Sequence, residues 1–155
     1  GARLIALDIN EERLAFAADH FGVEATVKAG EGAVERLREI TNGEMPLTVF
    51  DATGNKRSVQ ASFDLVAHGG KLVLVGLFQG DVTFHDPDAH RRELTLLRSR
   101  NSTGADFKRI IAQIEAGEID ITTWITHRVK FAEAVNEFEK WLNPQSKFIK
   151  AVIEV

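Results

Sequence analysis

The sequence predicts an α/β protein organised on a doubly wound parallel sheet, and three observations carry that prediction. Leu47–Phe50 and Leu72–Leu77 are short apolar runs on either side of a helical stripe formed by Val59, Phe63, Val66 and Ala67. Neither run alternates between apolar and polar residues, which is the pattern of strands buried on both faces. A strand–helix–strand crossover makes its two strands parallel. The same strand–helix alternation runs upstream to Leu4, giving the order βαβαβαβ. Near Arg100-Asn101 the pattern changes, and alternating segments with one wet face follow, as if the chain passes to a different sheet.

Each element has a local reason. Leu4–Leu7 is an apolar strand ending on Asp8. Asn10 is placed to cap a helix from Glu11 to Phe21, with Leu14, Ala17, Ala18 and Phe21 on one face and Gly22 as its stop. Ala25–Lys28 is a short strand. Gly32–Ile40 is helical, with Val34, Leu37 and Ile40 together, and Asn42-Gly43 closes it. The central unit follows, its helix stopped by Gly69-Gly70. Val82–Phe84 reads as a short strand, Asp86-Pro87 as a helix start, and Leu94–Leu97 as a strand. Thr103–Ala116 is an amphipathic helix expected to turn Phe107, Ile110, Ile111 and Ile114 inward. Ile125–Phe131 holds an alternating segment with Thr126, Arg128 and Lys130 on one face. Ala132–Trp141 is a last helix ended by Asn143-Pro144, and Phe148–Val155 alternates again.

Composition narrows the function. The chain has 155 residues, 44% of them hydrophobic, enough for one ordinary domain with a core. Its net charge of −4 comes from interspersed acids and bases. Nothing in it suggests a nucleic-acid surface. The densest basic spot, His90-Arg91-Arg92, reads as a solvated helix face. With no cysteine, disulfides, thiolate metal sites and a cysteine nucleophile are excluded, which fits a reducing, cytoplasmic setting. No apolar run approaches the roughly 20 residues of a membrane-spanning helix. Gly1-Ala2-Arg3 leads at once into a strand and the one methionine is Met45, so the chain is expected to be a piece of something longer.

In open parallel sheets ligands lie beyond the carboxyl ends of the strands. Those ends carry Asp8, Asp51-Ala52-Thr53-Gly54-Asn55 and Gly76-Leu77-Phe78. An acid such as Asp8 can accept both hydroxyls of an adenosine ribose and repel a 2′-phosphate, favouring NAD over NADP. Equally, Asp8 can help cap the helix that follows. Arg13 lies within reach of the same ribose, or is a surface arginine. The glycine-rich turn that partners such an acid, about 20 residues upstream, would precede Gly1. Small residues at Ala52–Gly54 would let a ring or ribose approach the backbone; the same letters also make a helix entry capped by Thr53 or Asn55. His20 and His68 fall near helix ends. His85 and His90 flank Asp86 and Asp88, without a compact metal-ligand spacing. There is no GxSxG elbow.

Taken together, LIALDINEERL, VFDATGN, GGKLVLVGLF, HRRELTLLRSRNST, DFKRIIAQIEAGEID, ITHRVKFAEAVNEFE and KAVIEV resemble the zinc-type medium-chain dehydrogenases, the alcohol, polyol and sugar-acid dehydrogenase relatives. The resemblance covers nearly the whole chain. It implies an incomplete Rossmann domain over residues 1–101, lacking its first strand and glycine-rich turn. Residues 102–155 would be a segment returning to a GroES-like catalytic domain. It implies hydride transfer from a secondary alcohol to NAD, with the zinc that polarises the alcohol oxygen held by ligands outside this chain. Asp8 and Arg13 would meet the adenosine ribose. Ala52, Thr53 and Gly54 would line the adenine side. Val75, Gly76 and Leu77 would lie along the nicotinamide, and Ser99, Arg100 and Asn101 would close over it. Lys150 would meet the pyrophosphate where relatives often have arginine. Arg98 stands where relatives usually have glycine, which puts the Arg98–Asn101 turn in question. A homo-oligomer, dimer or tetramer, is implied, pairing near Val82–Phe84 and Leu94–Leu97. The chain alone is expected to be inactive and to bind NAD weakly.

Without the central strand, Leu4–Leu7 and Leu47–Phe50 would each lose a neighbour. Unpaired buried backbone is costly, so a filled gap is expected: by closure of the halves, by a partner strand, or by a longer chain. Rival readings are a class I methyltransferase, a zinc-free quinone reductase relative, and a non-enzymatic nucleotide-binding module. Residues upstream of Gly1 would separate them.

Overall fold

The computed structural model describes residues 1–143 and 148–155. In chain order its main elements are β1 (Ile5–Asp8), α1 (Glu11–His20), β2 (Ala25–Lys28), α2 (Ala33–Ile40), β3 (Thr48–Asp51), α3 (Lys56–Ser62), β4 (Lys71–Leu74), α4 (Asp86–Arg91), β5 (Thr95–Arg98), α5 (Gly104–Glu115), β6 (Ile125–Lys130), α6 (Ala134–Trp141) and β7 (Lys150–Glu154). They form two compact units, Gly1–Lys28 with Ser102–Val155, and Ala29–Asn101. Among the described residues every ladder is parallel. The strand orders are β1-β2, β3-β4-β5 and β6-β7. Among the described residues β1 pairs with β2 alone and β3 with β4 alone, so each is an edge strand of its own sheet.

In the unit of residues 29–101, β3, β4 and β5 lie in register Val49–Leu72–Leu96 and Asp51–Leu74–Arg98. One face of this sheet packs on α3: Val59, Phe63, Val66, Leu72 and Leu74 form the core, with Val49, Phe78, Val82 and Leu94 around it. Leu72 is fully buried and Val59 nearly so. Each such side chain contributes about 1.5–3 kcal/mol on leaving water. The other face is open, with Phe50 68% exposed. The expectation of strands buried on both faces therefore fails here. An apolar run records the need for two covering layers, and α3 supplies one.

Further departures have local causes. The helix stops at Ser62, tightens into a 3-10 turn at Phe63–Leu65, and Val66 is extended, so Val66 and Ala67 are buried but not helical. Arg92 closes this end. Its Nη1 donates to the carbonyls of Phe63 at 2.7 Å and Val66 at 3.3 Å, groups that a continued helix would have satisfied. Arg92 is thus not part of a solvated basic face; its side chain is 12% exposed. Val82–Phe84 is not a strand. Val82 joins the core rim, and Phe84 stacks on Phe63 with ring centres 4.8 Å apart. β4 ends at Leu74 rather than Leu77: the Val75 amide still bonds Asp51 on β3, but the Gly76 amide bonds that same oxygen instead of running on along the strand.

In the other unit, Asn10 caps α1, its Oδ1 accepting from the amides of Glu12 and Arg13. Phe21 stacks on Trp124 at 4.2 Å. β6 alternates as expected, with Val129 buried and Thr126, Arg128 and Lys130 exposed. It pairs with β7 in a sheet of its own. The apolar face of α5 does not turn inward: Phe107 is 62% and Ile111 51% exposed. The helix's first turn is closed by a capping box, Thr103 with Asp106, and none of its residues is fully buried. Of the expected stop Asn143-Pro144, Pro144 lies outside the described residues. No helix among the described residues is long and apolar enough to cross a membrane.

Candidate functional site

Because β3 and β4 are parallel, their carboxyl ends lie at the same edge of the sheet. Two loops leave there, 52–55 and 75–77. Asp51 joins them. Its backbone oxygen accepts from the amides of Val75 at 2.8 Å and Gly76 at 3.0 Å. Its side chain is buried, and Oδ1 accepts from the amide and hydroxyl of Thr53 at 3.0 and 2.8 Å. Oδ2 accepts from the Ser58 hydroxyl at 2.6 Å. Asn55, not Thr53, is the helix cap; its Oδ1 takes the amides of Arg57 and Ser58.

The loops touch through glycine. A Cβ on Gly76 would sit against the Gly54 amide nitrogen and 3.0 Å from the carbonyl carbon of Ala52. Gly54 has φ +62, and a Cβ there would come 2.8 Å from the Leu77 oxygen. Ala52 and Thr53 stand exposed beside this contact, and Leu77 is 81% exposed. Gly76 and Leu77 also border a cleft of about 370 Å³ with Leu74, Phe78, Val82 and Arg98. The surface is one of small residues and bare backbone, suited to a flat ring or sugar.

In its own unit, Asp8 ends β1, and its side chain is 32% exposed. Oδ1 accepts from the Asn10 amide at 2.9 Å, and Oδ2 faces Arg13 Nη1 at 3.9 Å. One oxygen of Asp8 thus shapes the turn before α1, and the other lies toward a cation at the strand tip. Helix capping itself falls to Asn10.

The remaining candidates divide similarly. Arg98 lies in regular strand geometry within β5. After it, the Ser99 amide donates to the Leu74 oxygen at 3.0 Å, and Asn101 takes the left-handed conformation at φ +57. Ser99, Arg100 and Asn101 are all exposed. Lys150 opens β7, exposed, its backbone held to Thr126 Oγ1. His85 pairs with Asp88 at 2.8 Å and holds that carboxyl below its usual range. Among the described residues no group of three or more His, Cys, Asp or Glu could hold a metal. Sequence reasoning passed over Asp51 and Ser58 as individual residues. The pattern Asp-x-Thr after an apolar strand, an aspartate turned back onto its own loop, was the available signal.

These candidate groups lie at the carboxyl ends of parallel strands, where ligands of open α/β sheets bind. Comparison with known proteins makes the class specific. The family model for zinc-binding dehydrogenases matches residues 1–116, and the chain belongs to that family. It is 32% identical over 153 residues to L-galactonate-5-dehydrogenase of Escherichia coli (strain K12), covering 99% of this chain and 45% of that protein. It is 31% identical over 157 residues to L-arabinitol 4-dehydrogenase of Hypocrea jecorina, covering 97% and 41%. In structure it is similar to the short chain alcohol dehydrogenase rspB of Escherichia coli CFT073, solved with NADH. The TM-score is 0.87 at 19% identity, covering 99% of this chain and 44% of that one. The fold is that of a Rossmann-type domain. The chain spans under half the length of these relatives.

Proposed function

We propose that this chain is the NAD-binding portion of a zinc-dependent dehydrogenase that oxidises a secondary alcohol of a polyol or sugar acid. Residues 1–101 are its dinucleotide-binding part, and residues 102–155 belong with a GroES-like catalytic domain. The carrying observation is Asp8: a part-exposed carboxylate at the tip of a parallel strand, with Arg13 beside it. Its role is to accept the hydroxyls of the adenosine ribose and to repel a 2′-phosphate. Ala52, Thr53 and Gly54 line the adenine side. The Thr53 hydroxyl gives its proton to Asp51 and accepts from the Asn55 amide, so it meets a ligand as an acceptor. Val75, Gly76 and Leu77 flank the nicotinamide, Ser99, Arg100 and Asn101 cover it, and Lys150 supplies charge toward the pyrophosphate.

The residues offered to the cofactor are small and exposed at Ala52 and Thr53, beside a loop contact that Gly54 and Gly76 permit because a Cβ on either would strike the opposite loop. When bound, NAD supplies the hydride acceptor. The work of these residues is to bind and orient it. The donor set does not fit zinc, since no suitable trio stands among the described residues. Its ligands are assigned to the rest of the enzyme. We place that enzyme in the cytoplasm, which a cysteine-free chain suits, and infer a homo-oligomer through the exposed edge strand β5.

The test is the nucleotide preference of the assembled enzyme. Asp8→Ser should raise KM for NAD about tenfold and bring NADP into use. An unchanged ratio of NAD to NADP turnover would remove Asp8 from the site. For the chain on its own, calorimetry should show little or no NAD binding.

A further inference from the structure

We propose that Asp51 is a positioning residue that sets the spacing of the two strand-tip loops and so fixes the shape of the dinucleotide cradle. This rests on the NAD-binding reading and adds to it a residue that need not touch the cofactor.

Five hydrogen bonds converge on this one residue. Its main-chain oxygen holds the 75–77 loop through two amides, and its carboxylate holds the 52–55 loop and the first turn of α3 through three donors. It is the last residue of β3, so its own backbone is fixed by the ladder to β4. Both loops are therefore referenced to the rigid sheet through Asp51. The margin they leave is small, because Gly54 and Gly76 are already in backbone contact.

The carboxylate is a particular choice. It is 4% exposed, and the three groups that donate to its side chain are neutral. A buried charge costs solvation, which is offset only when several donors are aimed at it. In return, an acceptor-only group forces every neighbour to donate. Thr53 Oγ1 must give its proton to Asp51 and can then accept from the Asn55 amide at 3.1 Å. One direction of hydrogen bonding thus runs from Asn55 through Thr53 to Asp51, and loop shape follows from it. An amide at this position would offer one acceptor oxygen and oblige Ser58 to accept instead of donate.

Three variants of the assembled enzyme test this: Asp51→Ala, Asp51→Asn and Ser58→Ala. Asp51→Ala should raise KM for NAD about tenfold or more, the loss expected when hydrogen bonds to a charged group are removed. Asp51→Asn and Ser58→Ala, which keep most of the network and the fold, should raise it about threefold. KM for the alcohol should not move. A residue that only stabilised the fold would lower the amount of active enzyme and leave KM for NAD where it was. That result in Asp51→Asn and Ser58→Ala would overturn the proposal, whether or not Asp51→Ala folds. NADH titration of the wild type separates the two levels: a wild type that binds no NADH overturns the dinucleotide reading itself.

Discussion

Asp8 and Asp51 occupy the same place in two different units. Each is the last residue of a parallel strand, each follows an apolar run, and each accepts from the amide two residues on. They differ in what the second oxygen does. In Asp8 it faces Arg13 at 3.9 Å with the side chain 32% exposed. In Asp51 it is buried and takes the Ser58 hydroxyl at 2.6 Å. The difference separates a group able to receive a ligand from one committed to building the surface the ligand meets. Exposure decides which is which, because a buried carboxylate already taking three donors is out of a sugar's reach.

The contrast can be broken most forcefully at the loop contact that Asp51 maintains. Gly76→Val places branched carbon against the backbone of residues 52–54. Backbone cannot swing aside as a side chain does, so a loss of about 3 kcal/mol or more is expected. Chemical denaturation would measure it, and NADH binding by the assembled enzyme should vanish with it. Next in size is Asp51→Ala, which strands the Thr53 and Ser58 donors near a buried site. About 2–4 kcal/mol of unfolding free energy should be lost. Asp8→Asn should cost under about 1 kcal/mol, since its ion pair is long and half in water. It should still weaken discrimination against NADP. If Asp8→Asn proves as destabilising as Asp51→Ala, the division between the two aspartates is wrong.

Much of this arrangement was legible before the structure. The apolar runs locate the strands, though not how many of their faces this chain covers. Asn10 as the cap of α1 follows from its place before the first helical turn. The candidate positions at the strand tips follow from the order of strands and helices alone. What could not be read was anything decided by a second element. Asp8 and Asp51 look alike in sequence because Ser58, seven residues beyond Asp51, is what distinguishes them. Arg92 reads as one more surface arginine, yet it reaches the carbonyls of Phe63 and Val66 across the fold. The inward face expected for α5 failed for the same reason. Periodicity says that Phe107 and Ile111 are apolar and share a face, and is silent on whether this chain carries the layer to cover them.

A third aspartate sharpens the comparison by separating exposure from hydrogen bonding. Asp106 is in water, yet its Oδ2 takes the amide and hydroxyl of Thr103 at 2.9 and 2.7 Å in the capping box of α5. The Thr103 amide, then its hydroxyl, hold the Asp106 carboxyl below its usual 3.8. A carboxyl lowered on folding stabilises the folded state above its unfolded value, and loses that contribution as pH falls through the lowered one. Helicity of α5, followed by circular dichroism from about pH 5 down to about pH 2, should therefore fall in that acid range. Asp106→Asn should remove the share of that pH dependence that Asp106 carries and begin from a slightly lower signal, while Asp8→Asn should leave it intact. The effect is the smallest of the set because solvent competes for every bond in the box. A helix signal indifferent to Asp106→Asn would mean that an exposed carboxylate does not hold structure here however well it is hydrogen-bonded. Burial alone would then account for the hold that Asp51 has on its loops.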